Sequence, residues 1–313
     1  MPGRDSDALD RLDTDLHPHC HDREYPVSWL GVDIGGTKIQ LVRCDDDLRV
    51  LDSRRAESPP GKILATAIAM AAELAEGAQG IGIGAAGVID PSGAVAATTE
   101  VFPGWEGTNL TEIVSRELGL PLVVDNDANA FLHGEATAGA ARGYKHAFGI
   151  TVGTGIGGAL ISDGVLLRGA SGGAGEIGHT PGFGNEPCTC GARGHLESVA
   201  SGLSISRRYG RDISAGQVAE RARLGDPEAR QVFDEAGVAL GQAIAVVATV
   251  LDSQIAVLGG GVIGSWDLLE PTCRATVQAT VLPTNADLLI EPAQLGDYAV
   301  AIGAAALAAA QVS

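Results

Sequence analysis

Two stretches of this chain repeat one design. GVDIGGTKIQLV from Gly31 and GITVGTGIGGALI from Gly149 each run as a buried strand, a Gly-rich turn and a returning strand. An internal structural duplication is the simplest source of such a pair. Turns of this kind let backbone N–H groups approach phosphate oxygens with no Cβ in the way. One alone is as readily an ordinary hairpin; two in matching positions favour a nucleotide. Gly is 44 of 313 residues with no collagen-like period, so the glycines belong to turns and ligand loops.

The pattern around these hairpins alternates strand and helix, which implies a mostly parallel sheet with crossover connections. Strands are expected at 29–34, 39–44, 50–53, 80–84, 94–99 and 121–124. Helices are expected at 61–76 and 110–118. A second cycle has strands at 147–152, 158–162 and 165–167, helices at 196–208, 214–223 and 227–251, a strand at 255–258 and a last helix at 300–310. The length suits two domains.

Charge and apolar patterning exclude several functions. The net charge of −18 repels a phosphate backbone, so nucleic-acid binding is not expected. The most apolar stretches, 243–251 and 304–310, fall short of the ~20 residues that span a bilayer. No membrane helix is expected. Residues 1–28 carry seven acidic and three basic residues and no apolar core, which reads as a disordered or loosely docked extension and not as a signal peptide. A cytoplasmic location is the corresponding expectation. His17, His19, Cys20 and His21 within the extension could meet a metal only adventitiously. Five cysteines, an odd and sparse set, argue against a disulfide framework. Cys188 and Cys190 look instead like metal ligands; with His179 and His195 they make a Cys/His set compatible with tetrahedral Zn²⁺. Cys44 and Cys273 are expected to be inert.

The motifs DIGGTK (Asp33–Lys38), DNDANAFLHGEA (Asp125–Ala136), VGTGIGG, DGVLLRGASGGAGEIGH ending at His179, CTCGARGHLE (Cys188–Glu197) and VLGGGV (Val257–Val262) follow one another as in the ROK family of repressors and sugar kinases. The resemblance covers about residues 29–313. It implies an α/β fold of the actin-like ATPase (ribonuclease H-like) type, two domains with a cleft between them. Residues 29–124 plus 298–313 resemble the small domain, and 125–297 the large domain with its zinc-binding loop.

The resemblance further implies an ATP:hexose 6-phosphotransferase with a glucokinase-like site. Asp33 would hold Mg²⁺, and Gly35, Gly36 and Thr37 would face phosphate, as would Gly153, Thr154 and Gly155. Lys38 is either a phosphate contact or a solvated strand charge. Gly259, Gly260 and Gly261 resemble the adenosine-contacting turn, which makes ATP rather than polyphosphate the expected donor. Asp127 would be the general base toward the sugar's primary hydroxyl; its alternative is a helix N-cap. Asn126, Glu176, His179 and Glu197 would contact sugar hydroxyls, while Asn129 is structural. His179, Cys188, Cys190 and His195 would ligate a structural zinc, with His195 where the family usually has a third cysteine. Ala86 and the loop 98–107 also depart from the common pattern. Glu100 in that loop either is solvated or faces an amino group on the sugar, and Trp105 is a packing residue.

Glucose or a glucose-like sugar is the leading substrate. Glucosamine, kanosamine, N-acetylglucosamine and N-acetylmannosamine are the alternatives. A sugar-responsive regulator or a non-catalytic sugar-binding protein stands further off, and a homodimer is expected by analogy.

Overall fold

The computed structural model describes residues 27–98, 104–210 and 212–312. Glu100 and the His17, His19, Cys20, His21 cluster lie outside the described residues.

The first hairpin pairs β1 (Ser28–Ile34) antiparallel with β2 (Lys38–Asp45), and β3 (Val50–Glu57) continues the meander. Helix α1 (Ile63–Leu74) crosses over to β4 (Gly80–Ala85), parallel to β1. A small ribbon of β5 (Val88–Ile89) and β6 (Val95–Ala97) and helix α2 (Leu110–Leu118) lead to β7 (Leu122–Asn126), parallel to β4. The sheet order is β3-β2-β1-β4-β7.

Helix α3 (Asp127–Ala138) precedes the second cycle. The second hairpin joins β8 (Ala147–Val152) to β9 (Ile156–Ser162), followed by β10 (Val165–Leu166), α4 (Glu197–Ala200), α5 (Gly202–Tyr209), α6 (Ala215–Arg223) and α7 (Pro227–Leu251). Strand β11 (Ile255–Gly259), helix α8 (Trp266–Thr280), strand β12 (Leu289–Pro292) and helix α9 (Ala299–Val312) complete the chain. This sheet runs β10-β9-β8-β11-β12, with the same alternation of antiparallel and parallel neighbours as the first. The duplication seen in the hairpins therefore extends to both whole sheets.

Several elements differ from expectation, three of them for a reason the structure shows. The helix expected over 196–208 breaks at Ser201, which is extended and accepts the Ser204 N–H on its Oγ, starting α5 afresh. Ser is a strong N-cap for this reason. Helix α8 escaped a periodicity reading because Pro271 lies inside it, costing one backbone bond. Strand β12 is a short edge strand ending in Pro292, and only its parallel register with β11 defines it.

The sheet cores are separate. One cluster joins Leu30, Val32, Ile81 and Ile83 to α1 and α2, with Trp105 packed against it. Another joins Phe148, Ile150, Ala256 and Leu258 to α4–α8. Helix α9 is apolar all round because it is enclosed. A Cβ at Gly31 or Gly82 would fall on the carbonyl oxygens of Ala301 or Ala304, and one at Gly303 on that of Ala130. Glycine on both surfaces lets α9 lie directly on the first sheet and against α3. Helix α7 has the length and composition to cross a membrane, yet half of its most apolar window is buried. It is built as a core helix.

Candidate active site

The ends of β1, β7, β8 and β11 converge on one cleft of about 1180 Å³. That exceeds the usual volume of a site for a single small ligand. All three Gly turns line it, at 35–38, 153–155 and 259–261, together with Asp33, Asn126, Asp127, Glu176, His179 and Glu197.

The first turn is a tight hairpin: the Gly35 N–H donates to the Lys38 carbonyl at 3.0 Å, and Ser58 Oγ donates to the Gly35 carbonyl at 2.6 Å. The second is held differently. Gly153 N–H donates to the Gly155 carbonyl, while the first N–H groups of α5, from Gly202 and Leu203, donate to the carbonyls of Gly153 and Thr154. In the third turn Gly260 has φ +88°, and a Cβ there would meet the Val152 carbonyl at 2.5 Å. Only glycine fits both the dihedral and the gap.

DNDAN divides its labour. Asp125 is buried, accepts from Asn129 Nδ2 at 2.7 Å and forms an ion pair with Arg168 at 2.8 Å, so it ties β7 to the segment after β10. Asn126 is the N-cap of α3: its Oδ1 accepts the N–H groups of Ala128 and Asn129, and its Nδ2 donates to the Gly87 carbonyl at 2.9 Å. The cap is thus Asn126 and not Asp127, which is the first residue of the helix and faces the cleft. Asn129 serves Asp125, as a structural residue would.

Three acids crowd the cleft floor. Burial, and then the negative charge of Asp127, push Asp33 up to about 7, while Lys38 pulls it the other way. Burial raises Asp127, although the Ala128 N–H opposes the shift. Burial, Asp127 and Glu197 push Glu176 up to about 7. Such a set repels itself and favours a cation or a proton. Lys38 and Arg55 are the Arg and Lys side chains lining the cleft among the described residues. Arg55 went unrecognised in the sequence; its signal is the register, since Asp33, Gln40 and Arg55 pair across β1, β2 and β3 and share a face.

Beside the acids lies the Cys/His loop, closed by bridges between Pro181 and His195 and between Pro187 and Arg193. One ligand atom from each of His179, Cys188, Cys190 and His195 lies within 4.8 Å of the others. His179 Nδ1 is 3.6 Å from Cys188 Sγ and His195 Nδ1 is 3.3 Å from Cys190 Sγ, close to the edges of a tetrahedron about one zinc. The donors and their spacing fit that ion. Cys44 and Cys273 are buried and are not members of this set, and burial pushes both thiols up to about 12.

The model of the ROK family matches residues 29–311. The chain belongs to the ROK family. It is 31% identical over 281 residues to a glucokinase of Thermotoga maritima, covering 82% of this chain and 88% of the relative. It is 33% identical to the N-acetylgalactosamine kinase AgaK of Shewanella sp. strain ANA-3, over 88% of this chain and 94% of that one. Its fold superposes with a TM-score of 0.81 on a ROK family glucokinase from Streptomyces griseus in complex with glucose and AMPPNP, 33% identical, covering 90% of this chain and 99% of that structure. The actin-like ATPase fold expected from the motifs is the fold of this family member.

Proposed function

We propose that this chain transfers the γ-phosphoryl group of ATP to the 6-hydroxyl of a hexose, with Asp127 as general base. The chain is a sugar kinase; the hexose, the donor and the residue roles are our reading. The observation that carries it is the division of labour at the start of α3: Asn126 takes the cap, which leaves the Asp127 carboxylate for the cleft. The attacking hydroxyl gives its proton to that carboxylate as the O–P bond forms and ADP leaves.

Asp33 is the residue to hold Mg²⁺, whose charge would offset the burial and the neighbouring Asp127 charge that raise its carboxyl. Bound there, Mg²⁺ would offset the negative charge of the donor phosphates. Backbone N–H groups at Gly36, Thr37 and Thr154 and the Lys38 ammonium would cradle the phosphates, and the turn 259–261 the adenosine. Asn126, Glu176, His179 and Glu197 would read the sugar. His179 Nδ1 faces Cys188, so Nε2 is the nitrogen left for a hydroxyl. Zinc held by His179, Cys188, Cys190 and His195 would fix this loop.

Residues 29–124 with 298–313 would act as the smaller lobe and 125–297 as the larger, closing about the contact of α3 with α9. A homodimer belongs to the same proposal; Val238, Val246 and Val250 lie exposed along one side of α7. Glucose is the leading substrate, supported by the glucokinase relatives. An N-acetylated or free amino hexose is second, supported by the equally similar N-acetylgalactosamine kinase.

ADP release across glucose, mannose, glucosamine, kanosamine and the N-acetylhexosamines tests the proposal. Asp127→Asn is expected to lower kcat by about 10²–10⁴-fold with sugar affinity retained. Full activity in that variant would remove Asp127 from the chemistry.

A further inference from the structure

Both carboxylate oxygens of Glu197 have partners within the chain. Its Oε2 accepts the Ile156 N–H at 2.9 Å, directly after the second Gly turn, and its Oε1 accepts the Thr189 hydroxyl at 2.5 Å. Glu197 is only 5% exposed. Gly155 permits the approach: a Cβ there would stand 2.5 Å from Oε2, and its φ is not in the left-handed region. The residues that follow hold the same turn from beneath through Gly202 and Leu203. Thr189 itself lies between Cys188 and Cys190 and lines the cleft.

These contacts form one chain of bonds: metal loop, Thr189 hydroxyl, Glu197 carboxylate, Ile156 N–H, phosphate-facing turn. We propose that Thr189 is a positioning residue for the donor side of the reaction, acting through Glu197 to couple the acceptor loop to the 153–155 turn. The proposal rests on the kinase function above and adds to it. Glu197 would not serve the sugar alone; a sugar hydroxyl that engages its remaining lone pairs would also stiffen the turn that receives ATP. By reciprocity, sugar would tighten nucleotide and nucleotide would tighten sugar by the same factor. A hydrogen bond from a hydroxyl to a buried carboxylate is among the stronger ones, so its loss should be measurable at both ends.

The test compares the wild type with Thr189→Val, which keeps the shape and removes the donor, and Thr189→Ser, which restores it. Two-substrate kinetics and titration of AMPPNP with and without the best hexose are read for each, after zinc content and melting temperature are matched. The expected result for Thr189→Val is a rise of about five- to ten-fold in the KM for ATP, loss of the hexose effect on AMPPNP affinity, and a kcat within about two-fold of wild type. Thr189→Ser is expected to recover both. A KM change confined to the sugar would overturn the coupling and leave Glu197 a sugar contact; no change in either KM would overturn it outright. Should Thr189→Val lose zinc, Glu197→Gln provides the second measurement: Ile156 and Thr189 donate to different carboxylate oxygens, and the amide NH₂ that replaces one of them cannot accept. An unchanged AMPPNP response to sugar in that variant would also refute the link. Failure of the kinase reading looks different: the wild type itself would release no ADP with any hexose.

Discussion

The two Gly hairpins share strand order and sequence pattern, yet they are held by different forces. The hairpin at 35–38 is held within its own meander: its bonds come from Lys38 and from Ser58 just after β3, and its chemistry comes from charge, with Asp33 at one end and Lys38 at the other. The hairpin at 153–155 has no charged residue of its own and is fixed from outside, by Glu197, Gly202 and Leu203. A duplicated element has thus kept its backbone shape while one copy specialised in charge and the other in attachment. The reason is topological. Only the second hairpin is followed by a long insertion, the segment between β10 and α5, that can fold back beneath it.

The comparison breaks most visibly if the attachment is removed. Withdrawing the zinc proposed for the Cys/His loop with a chelator is expected to lower the melting temperature by several degrees, where ~1 kcal/mol corresponds to about 2–4 °C for a domain of about 150–250 residues. Hydrogen exchange should quicken at the Ile156 amide and remain slow at Gly35. Equal quickening at both hairpins would show that the loop supports the whole fold and not one turn.

The acids of the cleft floor predict a pH dependence, and Glu176 supplies its share from the segment that attaches the second hairpin. Burial, and then the charges of Asp127 and Glu197, push the Glu176 carboxyl up to about 7 against 4.5 for an ordinary glutamate. Because the folded value is raised, stability is fully present below about 4.5 and is lost as pH climbs through about 7. Glu176→Gln should flatten this fall by up to about 3 kcal/mol, since one pKa unit is worth ~1.4 kcal/mol. Denaturant melts at pH 5 and pH 8 check it; an unchanged slope in the variant would assign the pH dependence to other groups.

A smaller contrast sits within the second hairpin. Gly155→Ala would push a methyl group against Glu197 Oε2, whereas a Cβ at Gly153 meets nothing within 4 Å. The first substitution is expected to cost about 1–3 kcal/mol and the second under about 0.5 kcal/mol. Equal costs in urea melts would mean that Glu197 moves aside freely and that the attachment is loose.

Much of this was legible in the residues. The strand, turn, strand pattern at Gly31 and Gly149 located both hairpins and the duplication, because alternation and glycine act locally. The Cys/His set could be named because its members fall within 17 positions, from His179 to His195. Thr189 and Arg55 were not legible: one is defined by a bond to Glu197 and the other by its register across two strands. Helix α8 hid behind Pro271, whose penalty the packing against α7 overcomes.

Composition, period and glycine patterning by themselves determined the α/β class and the Gly turns, since each follows from chemistry within a few residues; the candidate acids were named through the resemblance of the ordered motifs to the ROK family, and the metal donors by their Cys/His spacing. Tertiary structure decided which residue of DNDAN caps the helix and which faces the cleft, which carboxyls are forced upward, and that Glu197 joins the Cys/His loop to Ile156, 41 positions earlier. Those outcomes depend on burial and on hydrogen bonds between distant segments, which no local pattern encodes.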